Sequence, residues 1–244
     1  MLPHDVYSLL GSLSIHFVKI EGEQVTEDRA KKILHVLRKN FDKPKWVEST
    51  VDAFENLVFT IISQNTNDRN TEKAFLCLSR MFKIKPEILA KAEISRIEAC
   101  LHVGGLYRNK AKTIKHVSRI ISEKFHGSMQ PILSLPFEES RNELINLPGI
   151  GPKTADVVLL FSAKQPTIPV DTHVNRVGKR LRFVPEDGGY EEVRGSLQSI
   201  YEKADYLDVH VLLIALGRMY CKARKPSCKK CPVNKYCPSK GLWG

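Results

Sequence analysis

The sequence predicts an all-α protein. Apolar residues recur at the 3.6-residue helical period in one stretch after another, no segment sustains the one-in-two alternation of a strand, and the punctuation between stretches is short.

In chain order, residues 1–25 carry weak signals, compatible with an extra helix or a loose arm. Ala30, Ile33, Leu34, Leu37 and Phe41 then share one helical face behind Thr26, which reads as an N-cap. Val51 to Ile62 is an apolar helix, and the polar loop Ser63-Gln64-Asn65-Thr66-Asn67-Asp68 follows it. Ala74, Phe75, Leu78, Met81 and Phe82 form the next stripe. Gly104-Gly105 is a turn that presents Leu106. Ile114, Val117, Ile120, Ile121 and Phe125 form a third stripe, closed by Gly127. Helical patterns at Phe137 to Asn146 and from Pro152 to about Lys164 flank the link Leu147-Pro148-Gly149-Ile150-Gly151-Pro152-Lys153-Thr154-Ala155. Its two glycines permit positive φ and close approach of another backbone. Pro152 suits the first turn of the second helix, whose first amides point outward and suit a phosphate. The C-terminal stretch from Cys221 packs Cys, Lys and Pro together with too little apolar material for a core, so something else must hold it.

The chain has 244 residues, 42% of them hydrophobic, which suits one large domain or two small ones sharing an interface. Lys plus Arg is 38 against 27 Asp plus Glu, a formal charge of +11. The pI near 9.4 favours a polyanionic partner, nucleic acid being the commonest. The longest apolar run, Val211 to Leu216, falls far short of the ~20 residues that cross a bilayer. The N-terminus lacks a basic stretch leading into an apolar one. The expectation is a monomer with no membrane association, in a reducing intracellular compartment, the cytoplasm, associated with the nucleoid.

Of six cysteines, Cys77 and Cys100 lie in helical patterns and read as small core residues. The other four form the pattern C-x6-C-x2-C-x5-C at Cys221, Cys228, Cys231 and Cys237. A disulfide framework would be spread along a short secreted chain, so a metal site is the better reading. Four thiolates in so short a span bind either zinc or an iron–sulfur cluster. Lys222, Arg224, Lys225, Lys229, Lys230 and Lys235 surround them and suit phosphate contacts.

The link L-P-G-I-G-P-K-T-A between two helices resembles the helix-hairpin-helix of the endonuclease III family of DNA glycosylases. Downstream, Val170-Asp171-Thr172-His173-Val174-Asn175-Arg176-Val177 resembles the same family's aspartate segment, at the family's spacing from the hairpin lysine. The resemblance runs from about residue 26 to the C-terminus. It implies a helical barrel over 46–165 ending in the hairpin, a cluster domain over 166–244, and an N-terminal segment 1–45 packed with the latter. It also implies a [4Fe–4S] cluster on Cys221, Cys228, Cys231 and Cys237, and as partner double-stranded DNA containing damaged bases or abasic sites. The implied activity is removal of oxidised or saturated pyrimidines, then strand cleavage by β-elimination.

The residues suit that chemistry. Lys153 lies in the first turn of a helix, where the dipole disfavours an ammonium, and burial would free the amine further. Such an amine can displace a base at the anomeric carbon and then form an imine with the opened sugar. The plainer reading is a phosphate-binding lysine. Asp171 is an N-cap by position, and its carboxylate could also stabilise positive charge on the sugar as the base departs. Gly149, Gly151, Thr154 and His173 join the DNA-binding candidates. The base must leave the stack before it is released. By resemblance, Leu106 and a residue of the first loop fill the gap. The family's glutamine falls at Asn65 here, and Gln64 is one place earlier, so both are candidates. The rivals are a mismatch-type glycosylase for uracil, thymine or adenine, a non-catalytic DNA-structure-binding module, and an iron–sulfur electron carrier.

Overall fold

The computed structural model describes residues 27–43 and 52–242. Thr26, the expected cap of the first helix, and the weakly patterned residues 1–25 lie outside them. Among the described residues the regular structure is entirely helical, with no strand, as the periodicity predicts. The α-helices are α1 (Glu27–Asn40), α2 (Ala53–Ser63), α3 (Asp68–Met81), α4 (Pro86–Lys91), α5 (Ile94–Leu101), α6 (Tyr107–Lys124), α7 (Gln130–Leu133), α8 (Phe137–Ile145), α9 (Pro152–Phe161), α10 (Thr172–Arg180), α11 (Tyr190–Ile200) and α12 (Tyr206–Met219). None is long and apolar enough to cross a membrane.

Local rules account for several boundaries. Asp52 caps α2 by accepting from the amides of Phe54 and Glu55, and Asn67 caps α3 through Asn70. The helix α6 stops where the Gly127 amide returns to the Ile121 carbonyl, with Gly127 at φ 77°.

The apolar stripes bury into two main cores. One joins α2 to α9: Leu57, Ile61, Leu78, Leu101, Ile114, Ile121 and Leu144 are fully enclosed there. The other joins α1 to the C-terminal third, with Ile33, Leu37, Val174, Val177, Leu197, Leu212 and Leu216. The chain thus returns its first described helix to its last part, and α1 packs on α12. At the edge of this second core Arg38 meets Asp205 at 2.6 Å and Asp208 at 2.7 Å, and Lys43 meets Asp208 at 2.8 Å.

Two cysteines depart from the reading as simple core residues. Cys77 of α3 and Cys100 of α5 both pack in the first core, as their small size allows, but they are joined as a disulfide with Cα atoms 5.2 Å apart. Sequence patterning places each on a buried face. It does not say that the two faces meet.

Candidate active site

The hairpin link turns between α8 and α9. Gly149 has φ 75°, and a Cβ there would lie 2.7 Å from the Thr113 Oγ1. Glycine is therefore needed for backbone conformation and for space at once. Gly151 differs: it caps α9 at φ −100°, and a Cβ would meet nothing within 4 Å. Pro152 opens α9, and the Thr154 and Ala155 amides return to the Gly151 carbonyl. Lys153, in this first turn, is half-buried. Burial lowers its pKa, and the charge of Asp171 partly offsets that effect.

Asp171 caps α10. Its Oδ1 accepts from the amides of His173 at 2.8 Å and Val174 at 2.7 Å. The two expected groups therefore come together, with one at the start of α9 and the other at the start of α10. The segment ahead of Asp171 is held from two sides. The Tyr190 hydroxyl accepts from the Val170 amide at 3.3 Å, and His210 Nδ1 lies 2.9 Å from the Pro169 carbonyl oxygen. Burial pushes His210 down to about 4, so its imidazole is neutral at pH 7.

His173 lies beside this cap. Burial lowers its pKa, and its Nδ1 accepts from Arg176 at 3.0 Å. Arg176 also donates to the Gly217 carbonyl at 3.1 Å and the Cys221 carbonyl at 2.9 Å. One turn on, Arg180 donates to the carbonyls of Lys222 at 2.7 Å and Ala223 at 3.0 Å. The helix that begins with Asp171 thus grips the chain where the cysteine loop starts.

The loop candidates separate. Gln64 lies back on the hairpin, its Nε2 donating to the Thr154 Oγ1 at 3.3 Å and the Gly149 carbonyl at 3.4 Å. Asn65 is exposed and left-handed, with φ 51°. Leu106 is left-handed too, with φ 48°, and 57% exposed. Non-glycine residues in that conformation are uncommon, and strain of this kind concentrates at functional sites. A residue that sequence reasoning passed over ties the two loops together. Lys110 is 3% exposed, and its ammonium donates to the Ile62 carbonyl at 2.8 Å and the Gly104 carbonyl at 2.9 Å. Burial lowers its pKa. Between the two cores, Arg218 of α12 pairs with Asp68 of α3 at 2.8 Å.

Cys221, Cys228, Cys231 and Cys237 are free thiols, each half-buried, and all four line one pocket together with Arg180, Tyr220 and Asn234. Burial, with the neighbouring thiols adding to it, pushes Cys231 up to about 11. Among the described residues no group of three or more His, Cys, Asp or Glu is arranged to hold a metal ion. The thiols stand around the cavity rather than closing on one point.

Residues 58–203 match the family model described as the HhH-GPD superfamily base excision DNA repair protein. The chain is 34% identical to endonuclease III of Sulfolobus acidocaldarius over 86% of its length and 96% of the relative's. It is 32% identical to endonuclease III of Escherichia coli K12 over 85% and 94%. A trapped endonuclease III–DNA covalent intermediate superposes with a TM-score of 0.78 at 31% identity, covering 89% of this chain and 98% of the other. A non-covalent endonuclease III–DNA complex superposes equally well. A thermostable thymine-DNA glycosylase, at 20% identity and TM-score 0.70, shares the fold. With its helix-hairpin-helix, its lysine and aspartate at the starts of α9 and α10, and these matches across most of both chains, the protein belongs to the endonuclease III family of the HhH-GPD superfamily.

Proposed function

We propose that this chain is a base-excision DNA glycosylase and abasic-site lyase that acts through Lys153. Its partner is double-stranded DNA. The observation that carries the reading is a lysine whose pKa burial lowers, in the first turn of α9, beside the helix-capping Asp171. The neutral Nζ attacks C1′ of the damaged nucleotide. The glycosidic bond breaks, and the base leaves with the bonding electrons. Asp171 stabilises the positive charge that develops on the sugar. Ring opening gives an imine between Nζ and C1′. Loss of a C2′ proton then expels the 3′ phosphate, and water hydrolyses the imine to restore the amine. The substrate class is oxidised or saturated pyrimidines.

Four free thiols lining one pocket are the donor set that a [4Fe–4S] cluster takes, on Cys221, Cys228, Cys231 and Cys237. The cluster would fix the shape of a loop that has little apolar material of its own. Gly149, Gly151 and Thr154 at the hairpin, and His173 beside the α10 cap, form the DNA-facing surface, with Asn65 and Leu106 entering the duplex.

Borohydride reduction tests the nucleophile. Wild-type protein on a duplex with a damaged pyrimidine gives a permanent crosslink, and Lys153→Gln gives none while still binding. Crosslinking by Lys153→Gln at the wild-type rate would assign the chemistry to another amine.

A further inference from the structure

The helix carrying Lys153 is apolar through most of its length, but one turn after the lysine it holds a fully buried carboxylate, Asp156. Both of its oxygens are engaged. Oδ1 accepts from Arg141 Nε at 2.8 Å, and Oδ2 accepts from the Tyr190 hydroxyl at 2.7 Å and from an Arg141 terminal nitrogen at 3.3 Å. Arg141 is itself buried and also pairs with Glu191. An apolar residue would fill this space without the desolvation of two charges, so the network is not explained by stability alone.

What the network touches gives its second consequence. Tyr190 is the first residue of α11. Its hydroxyl donates to Asp156 and accepts from the amide of Val170, the residue before Asp171. One oxygen atom therefore joins the helix of Lys153 to the segment of Asp171. Burial and the neighbouring carboxylate push the Tyr190 pKa far up, so the hydroxyl keeps its proton for Asp156 at any working pH.

We propose that Tyr190 and Asp156 are positioning residues that hold the amine of Lys153 and the carboxylate of Asp171 in the mutual geometry that base release requires. The inference rests on the roles given above to Lys153 and Asp171. Base release uses both groups at once. Imine formation at a preformed abasic site uses the amine and has no base to expel. Loss of the clasp therefore separates two reactions that a general loss of structure would lower together.

Tyr190→Phe keeps the ring and removes both hydrogen bonds. Single-turnover base release from a duplex with one damaged pyrimidine should fall about 10- to 100-fold, the scale of a misplacement near 1 Å. Borohydride crosslinking to a preformed abasic duplex should stay within about threefold of wild type, and so should affinity for undamaged duplex. Asp156→Ala removes the acceptor of the tyrosine hydroxyl, so its ratio of base release to abasic crosslinking should fall as it does in Tyr190→Phe. It reads the same ratio if Tyr190→Phe melts below the assay temperature. Equal losses in both assays, or unchanged base release, in either variant that remains folded would overturn the proposal. Lys153→Gln is run alongside. If it crosslinks normally, the nucleophile assignment fails, and that result is distinct from any of these.

Discussion

Gln64 and Thr154 are joined across 85 to 90 residues of chain: the amide of Gln64 donates to the Thr154 hydroxyl and the Gly149 carbonyl at the hairpin. The neighbouring Asn65 is exposed and already in the left-handed conformation. On the function proposed above, Asn65 is the residue that enters the duplex, and Gln64 braces the hairpin. Asn65→Gly tests this without strain, because glycine accepts φ 51° freely. It should leave the melting temperature unchanged and slow excision of a damaged base by roughly 10-fold, about the 1.4 kcal/mol of one lost contact. Excision at the wild-type rate would return the role to Gln64.

The two hairpin glycines should respond in opposite ways. Gly149→Ala places a Cβ 2.7 Å from the Thr113 Oγ1 at a positive φ, so it should lower the melting temperature. Gly151→Val meets open space at φ −100° and should fold normally. It should nevertheless weaken binding to damaged and undamaged duplex alike, since the phosphate would approach through that space. In wild type the slope of log affinity against log salt should be on the order of −4 to −8, for five to nine phosphate contacts. A flat slope would remove the backbone from the interface.

The pH dependence follows from Lys153. Burial lowers its pKa, so the neutral amine appears at lower pH than in a free lysine. The rate of crosslinking to an abasic site should rise with pH and level off below the ordinary lysine pKa. Asp171 holds the proton on, so Asp171→Asn should move the inflection to lower pH. The same shift makes this group's contribution to stability rise with pH between its folded pKa and the ordinary lysine value, where the unfolded chain binds the extra proton. An inflection that stays put in Asp171→Asn would place the carboxylate too far away to act on the amine. Base release in that variant should fall by roughly 100-fold, as for loss of about 3 kcal/mol of transition-state stabilisation.

The Cys77–Cys100 disulfide closes a loop of 23 residues between α3 and α5. Chain entropy alone gives such a link about 3 kcal/mol. Mild reductant, or Cys77→Ala, should lower the melting temperature, because the link ties α3 to α5 within the first core. Alkylation of the unfolded, unreduced chain should leave these two sulfurs unlabelled. Two further labelled thiols would show the pair to be reduced in solution.

Purified protein should be brown and carry iron and acid-labile sulfide. Cys228→Ala or Cys231→Ala should bleach it and weaken DNA binding. A colourless protein with stoichiometric zinc would replace the cluster with a single ion.

Local chemistry was legible in the sequence because its signals are local. Apolar stripes located α1, α3 and α6. The Pro and Gly of the link marked the turn into α9, and Asp171 lay where an N-cap falls. The missed features pair residues far apart. Lys110 reads as one more solvated cation until its partner carbonyl, 48 residues upstream, is brought to it. Cys77 and Cys100 read as small apolar residues because nothing in either stripe says which way the other faces. Asp156 left a trace, an acid inside the apolar run Ala155 to Phe161, but its partners Arg141 and Tyr190 belong to other helices.

During synthesis Cys77 and Cys100 leave the ribosome well before Cys221, and they lie in a core completed by the residues up to α9. Six cysteines allow about fifteen full pairings. The order of emergence lets the first two find each other while the last four are still unmade. Cys221, Cys228, Cys231 and Cys237 are thus added to a chain whose two earlier cysteines belong to a core of their own. A circular permutant that brought the C-terminal segment out first would lose that order, and scrambled pairing should then appear in the newly made protein.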